Sequence, residues 1–323
     1  MKNLTTIFYS PKYSDIEPNT DASWTKRYFL DSTIKSKWVY EALLSSDIKV
    51  AIKEPLPLNT KDFLLAHTES YVNTIMTGSP ADTAGGSGIH WSSKVLETQS
   101  FVCGGLYNAC VEALKTHSVS GTLSSGFHHA HADFGTGFCI FNGLAIAAKK
   151  LQNECLAKKI LIFDCDVHYG NGTAAILKSS KDILNISIYK NAIQKGTQSI
   201  DNVASGNVAI RVSTADEYLS EIKKLPGYIE TFKSDLVIYN AGMDAFENDR
   251  LGGISGITSE ILKERDDLVF ETCRKYSAPV AFSLEGGYVT YKDKSGKLLS
   301  EAEVAKSRNN LVSLYLSLIR SGL

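Results

Sequence analysis

The sequence lacks several features that would assign it to particular roles. It has no surplus of charge: 34 Lys and Arg stand against 35 Asp and Glu, a formal net charge of −1. Without a broad positive field, nucleic-acid binding is not expected. No apolar run reaches the roughly 18 residues of a membrane span, so none is expected. The N-terminal "MKNLTTIFYSPKYSD" lacks the apolar stretch and small-residue cleavage site of a secretory signal. The six cysteines (103, 110, 139, 155, 165 and 273) contain no C-x-x-C pair. Cys139, Cys155 and Cys165 sit in apolar or helical contexts and are expected to pack in the core. A reduced, cytoplasmic chain is the resulting expectation. No internal repeat or low-complexity linker divides the 323 residues, so a single domain over 1–323 is expected.

What is present is alternation. "TTIFYS", "VSGTLSS", "KKILIFDCD" (a strand at 159–164), "ILNISIY" (183–189), "SDLVIYNAG" and "PVAFSLEGG" are short apolar, β-branched runs. Between them lie helical patterns. "FNGLAIAAKKLQNE" covers 141–154, and "DEYLSEIKKLPGYIETFK" is broken or restarted at Pro226. "TSEILKERDDLVFETCRKY" has Thr258 or Ser259 as its N-cap, and "EAEVAKSRNNLVSLYLSLIRSG" closes the chain. The Gly/Ser/Pro-rich segment 78–94 reads as a long surface loop. Continuous apolar strands alternating with helices predict an α/β fold with a mostly parallel sheet covered on both faces. Ligands then bind beyond the carboxyl ends of the strands.

Four of those ends carry ionisable groups: "DCDVHYGNG", "NAGMD", "EGGY" and "GFHH". In extended chain, Asp164, Asp166 and His168 project to one side. Such oxygen and nitrogen donors suit a divalent cation that accepts mixed ligands. Asp244 stands at the next strand end and is the best further ligand. Asp166, His168 and Asp244 would leave an open coordination position, the mark of a catalytic metal. His128 and His129 supply acid–base groups tunable near neutrality. Tyr288, after the flexible pair Gly286 and Gly287, can offer a hydroxyl to an oxyanion.

The motifs "GFHHAHADFGTGFCIFNG", "FDCDVHYGNGT", "NAGMDAFENDRLGG" and "LEGGY", in that order, resemble the zinc-dependent histone deacetylase superfamily. That superfamily includes bacterial deacetylase-like amidohydrolases and acetylpolyamine amidohydrolases. "HTESYV" (67–72) fits an early segment of the family, and the likeness runs nearly the whole length. The stretch from "DLVIYNAG" onward looks most like the class IV branch, while "LEGGY" and "DVHYGNGT" are equally at home in class II. The resemblance implies a single arginase/deacetylase-like domain built on a mostly parallel eight-stranded sheet.

It also implies roles. Asp166, His168 and Asp244 would hold zinc, a set that would also accept Fe(II). His129 would be general base and acid, His128 its electrostatic partner, and Asp164 the residue orienting His128. Asn171 would orient His129, and Tyr288 would stabilise the oxyanion. A structural potassium ion would be lined by Asp164, Ser187, Ile188 and the backbone of Asp166 and His168. Gly137 and Phe138 would form one wall of an acyl-lysine channel, with Gly286 and Gly287 also on the substrate side. The opposing wall is usually aromatic, but "YKNAIQKGTQSIDNVAS" offers no ring after Tyr189, which implies a wider channel and acyl groups longer than acetyl. An aspartate that grips the substrate backbone is to be sought in loop 78–94. His131 has no role in the family motif.

The implied reaction removes an acyl group from a lysine ε-amine of a peptide or protein, a water activated at the metal attacking the carbonyl. The alternatives are an acylated polyamine or small metabolite as substrate, an arginase-type dinuclear manganese hydrolase, and a catalytically silent acyl-lysine binder. Too few carboxylates are visible for the dinuclear site, and intact Tyr288 and both histidines weigh against the silent binder.

Overall fold

The computed structural model describes residues 4–15, 24–192, 206–293 and 295–323. The chain opens on β1 (Thr6–Phe8), a 3-10 turn (Pro11–Ser14), α1 (Trp24–Leu44), β2 (Ala51–Lys53), α2 (Thr60–Phe63) and α3 (Glu69–Thr77). Next come α4 (Ala81–Ala84), the long α5 (Val95–Thr116), β3 (Val119–Thr122), α6 (Gly143–Asn153), β4 (Ile160–Asp164), α7 (Asn171–Leu177) and β5 (Ile183–Tyr189). The remainder is β6 (Asn207–Arg211), α8 (Ala215–Ile222), α9 (Leu225–Phe232), β7 (Leu236–Gly242), α10 (Ser259–Lys275), β8 (Val280–Glu285) and α11 (Glu301–Ser321).

The eight strands form one sheet in the order β2-β1-β3-β8-β7-β4-β5-β6. Every neighbouring pair is parallel. Crossovers between parallel strands are right-handed, so the direction of travel along the sheet decides which face a helix covers. From β2 through β6 the chain moves one way, which puts α5, α6 and α7 on one face. From β1 to β2, and again from β6 to β8, it moves the other way, which puts α1, α8, α9 and α10 opposite. The packing agrees: α5 contacts α6 and α6 contacts α7, while α10 contacts α8, α9 and α11, and α11 contacts α1. Both faces being covered explains why β4, β5, β7 and β8 are buried along their whole length.

The expected strands and helices are present, with sharper ends. Pro226 sits at the second position of α9, where its missing N–H removes no helical bond, so it restarts the helix after α8. Thr258 is the N-cap of α10, its side chain accepting from the Ile261 N–H. Three expectations change. Cys155 is exposed, not in the core, because α6 has ended and the chain turns through φ +56° there. Segment 78–94 is no free loop: it contains α4, it buries Ile89, and Ser87 O accepts from Phe138 N at 2.9 Å. The sheet is parallel throughout, not mostly so. Among the described residues no helix is long and apolar enough to cross a membrane.

Candidate active site

Strands β3, β8, β7 and β4 are consecutive neighbours in the sheet. The four ionisable strand ends read from the sequence therefore lie side by side at one edge. Below them runs a polar row. Register pairs Thr122 with Ser283, Ser283 with Asn240, Asn240 with Asp164, and Asp164 with Ser187. The middle of the row is hydrogen-bonded: Ser283 Oγ donates to Asn240 Oδ1 at 3.0 Å, and Asn240 Nδ2 donates to Asp164 Oδ1 at 2.8 Å. Asp164 Oδ2 faces His128 Nδ1 at 2.9 Å. Asp164 thus turns toward the histidine pair and fixes its orientation, as a buried carboxylate does beside a functional imidazole.

Asp166, His168 and Asp244 do converge. Each offers a ligand atom, and the three atoms lie within 4.8 Å of one another. His168 Nδ1 is 3.1 Å from Asp166 Oδ1 and 2.9 Å from Asp244 Oδ2. His168 Nε2 is 3.1 Å from Leu251 O. A carbonyl oxygen only accepts, so Nε2 carries a proton and Nδ1 is the nitrogen turned to the carboxylates.

Burial and the charge of Asp244 push Asp166 up to about 6. Burial resists the charging of His168, but its two carboxylate partners outweigh that and push it up to about 11. Two buried carboxylates held this close call for a cation between them. Gly286 makes the convergence possible: a Cβ there would overlap Asp166 Oδ2 and Asp244 Cγ. The donor set, two oxygens and one imidazole nitrogen, fits a divalent ion such as zinc.

The histidine pair stands beside this set. The His128 and His129 rings are 3.9 Å apart, and His129 is 5.9 Å from the His168 ring. Asn171 Oδ1 lies 2.8 Å from His129 Nδ1 and also accepts from Gly172 N, which fixes the amide orientation. His129 Nδ1 therefore carries the proton and Nε2 is the basic nitrogen. The two rings differ electrically. Burial lowers the affinity of His128 for a proton, but the charges of Asp164 and Asp166 outweigh it and lift the group to about 10. Burial, followed by the charges of His128 and His168, pushes His129 well down. One imidazole is disposed to be charged and its neighbour to be a neutral base.

Tyr288 stays protonated, pushed well up by burial and by the charges of Asp244 and Asp166. Its ring stands 5.6 Å from that of Phe138 at 63°, an edge-to-face contact. Gly137 serves a different need: at φ +55°, a Cβ there would overlap His129 Cδ2. Gly286 and Gly287 are buried, and Gly287 packs against Leu311 and Tyr315. Both bend the chain around the carboxylates at positive φ. Ser187 and Ile188 are buried on β5, with Ser187 in register beside Asp164. His131 stacks on Phe134 at 4.3 Å. Asp82, the one acidic residue in 78–94, is exposed in α4. Most of the segment expected to lack an opposing aromatic falls in 193–205, outside the described residues. Tyr189 itself turns to Tyr169, ring to ring at 4.9 Å.

Two buried charged groups behind the site, Glu285 and Lys35, were not singled out from the sequence. Glu285 ends β8, and its Oε1 accepts from Gly126 N at 3.1 Å and Phe127 N at 3.4 Å, tying β8 to the loop that carries the histidines. Lys35 of α1 is 1% exposed and donates to Gly286 O at 2.6 Å. The glutamate of "LEGGY" was in view as part of a motif. Lys35 meets its partner across 251 positions, and no local signal could have found it.

Comparison with known proteins gives the family and the fold. The family model described as the histone deacetylase domain matches residues 31–300. An uncharacterised protein of Picosynechococcus sp. is 33% identical, over 69% of this chain and 74% of its own. A probable deacetylase of Methanothermobacter thermautotrophicus is 29% identical over 80% of both chains. Histone deacetylase 2 of Arabidopsis thaliana is 28% identical over 86% of this chain and 74% of its own. The crystal structure of the HDA15 HD domain superposes with a TM-score of 0.74 over 99% of this chain and 94% of that one; at 20% identity it speaks for the fold. With the family model matched over residues 31–300, most of its length, the chain belongs to the histone deacetylase family.

Proposed function

We propose that this protein is a metal-dependent amidohydrolase that removes an acyl group, acetyl or a longer fatty acyl, from the ε-amine of lysine. One observation carries the reading. A three-atom ligand set and a histidine whose Nδ1 is held by Asn171 stand at one edge of the sheet, the His129 ring 5.9 Å from that of His168, so a basic Nε2 is presented beside the metal position. The relatives named as deacetylases support it.

Asp166, His168 and Asp244 would hold zinc, and the oxygen-rich set also accepts Fe(II). When bound, the metal lowers the pKa of water and polarises the amide carbonyl. The remaining work falls to side chains. Tyr288, kept protonated, donates its hydroxyl to the oxygen of the attacked carbonyl. His129 Nε2 takes a proton from the attacking water and gives it to the leaving amine, help of a kind worth ~10²–10⁴-fold. His128, held by Asp164, places positive charge beside the developing oxyanion. Phe138 lines the path of the apolar lysine stem. Asp164 and Ser187, in register on neighbouring strands, would hold a potassium ion with the backbone of Asp166, His168 and Ile188.

The test is kcat/KM for acetyl-, octanoyl- and myristoyl-lysine peptides beside acetylated polyamines, with His129→Ala and Tyr288→Phe as controls. Turnover of acyl-lysine that both variants abolish or cut severely is expected. Acetylpolyamines leading the panel would overturn the lysine reading, and tight peptide binding without turnover would overturn the enzyme reading.

A further inference from the structure

After β7 the chain folds back on itself, and Gly253 N donates to Asp244 O at 2.8 Å. Within this turn Asp249 accepts three backbone N–H groups. Its Oδ1 takes Leu251 N at 2.9 Å and Gly252 N at 3.0 Å, and its Oδ2 takes Tyr288 N at 2.8 Å. The first two bonds are what any turn aspartate makes to its own backbone two and three residues on. The third is not local, since Tyr288 lies 39 positions away. The turn also aims Leu251 O at His168 Nε2, the bond that leaves His168 Nδ1 to the carboxylates. It has no room to slide: a Cβ on Gly252 would overlap Asp244 O and Val167 Cγ1.

We infer that Asp249 is a positioning residue serving both halves of the site. Through Leu251 it holds the metal-ligand ring of His168 in one orientation, and through the Tyr288 N–H it sets the height of the oxyanion donor. The inference rests on the deacylase reading for the role of Tyr288 but not for that of His168. Groups that orient ligands in this way typically change metal affinity or activity by about 10–100-fold when removed.

Two variants and two readouts decide it. Zinc affinity is measured by competition with a chromophoric chelator, and kcat and KM are measured at saturating zinc on the best acyl-lysine peptide. For Asp249→Ala, zinc affinity is expected to fall about 10–100-fold and kcat at least about tenfold, with KM nearly unchanged. Asp249→Asn is isosteric and has one carbonyl oxygen, so it can serve either the turn or Tyr288. It is expected to lose one readout and rescue the other, with an unaltered melting temperature separating this from misfolding. Zinc affinity of Asp249→Ala within threefold of wild type, or kcat within threefold, overturns the inference. If Asp249→Ala does not fold, Asp249→Asn decides alone, and wild-type values for both its readouts overturn it. If the wild type turns over no acyl-lysine, the deacylase reading fails, and zinc affinity alone still decides the His168 half.

Discussion

Asn171 Oδ1 stands 2.8 Å from His129 Nδ1, whereas one residue earlier His128 Nδ1 faces a carboxylate, Asp164, at 2.9 Å. A neutral partner lets His129 keep the low proton affinity that burial and its charged neighbours give it. Asn171→Asp would put a negative charge against that ring and favour the imidazolium, raising its pKa. With His129 as the proposed base, turnover needs its neutral form, so the acid limb of the kcat/KM profile should move to higher pH. The variant should be slower than wild type on that acid limb and recover as pH rises past it. A pH–rate profile checks this, and an unmoved acid limb would show that His129 is not the base.

Gly137 offers a second test of the same ring. An alanine there meets His129 and must also hold φ +55°, a left-handed conformation that costs a non-glycine residue about 1–2 kcal/mol. Displacing a base by an ångström can cost about a hundredfold in rate. Gly137→Ala should therefore lower kcat by about that factor with a modest drop in denaturant midpoint. If KM rises instead while kcat holds, Gly137 is a wall of the substrate channel and not a spacer for His129.

The parts of this site that were legible in the sequence are those in which a strand and its polar end are contiguous. "ILIFDCDVH" and "LVIYNAGMD" each carry their own apolar run and ligands, so Asp166, His168 and Asp244 could be assembled from strand ends alone. What stayed hidden depends on register and long range. The polar row beneath the ligands needs Ser283, Asn240 and Asp164 to pair across three strands, and nothing local specifies that pairing. Lys35 and Asp249 likewise act on the Gly286–Tyr288 turn from distant segments. Helix α5 was obscured for another reason. Its middle carries Gly104 and Gly105, which lower helix propensity. A Cβ at Gly104 would overlap Leu56 O, and one at Gly105 would overlap Tyr13 Oη, so close packing and not flexibility explains both. β2 was missed because three partly exposed residues show no alternation.

Removal of the metal should leave a folded but less stable protein. Without a cation, burial and then the charge of Asp244 hold Asp166 up to about 6. A ligand that binds only the folded state stabilises by about 4 kcal/mol at a thousand times its Kd. Chelation should lower the melting temperature by several degrees and abolish turnover, and zinc or Fe(II) should restore both. Because binding must displace protons from Asp166 and His168, the metal-dependent shift should grow as pH rises past 6. Scanning calorimetry of chelated and reloaded protein at several pH values reads this directly. Full activity and an unchanged melting temperature after exhaustive chelation would rule out a metal at this set.

Glu285 is 4% exposed, and burial lifts it to about 7 against an ordinary value of 4.5, with His128 opposing the rise. A carboxyl whose folded pKa is raised contributes stability that is present below 4.5 and lost as pH climbs through about 7. Glu285→Gln keeps a carbonyl oxygen to accept from Gly126 and Phe127 but cannot ionise. The variant should match wild type near pH 4.5, gain on it steadily to pH 7 and hold a constant lead above. At about 1.36 kcal/mol per unit, that lead is about 3 kcal/mol at most. Lys35, buried nearby, is one of the charges that hold this rise down, because it favours the carboxylate. Denaturant midpoints of the two proteins between pH 4.5 and 8 decide the balance. A variant less stable than wild type at every pH would mean that attraction to Lys35 outweighs the desolvation of Glu285, so that the two act as a buried ion pair behind the site.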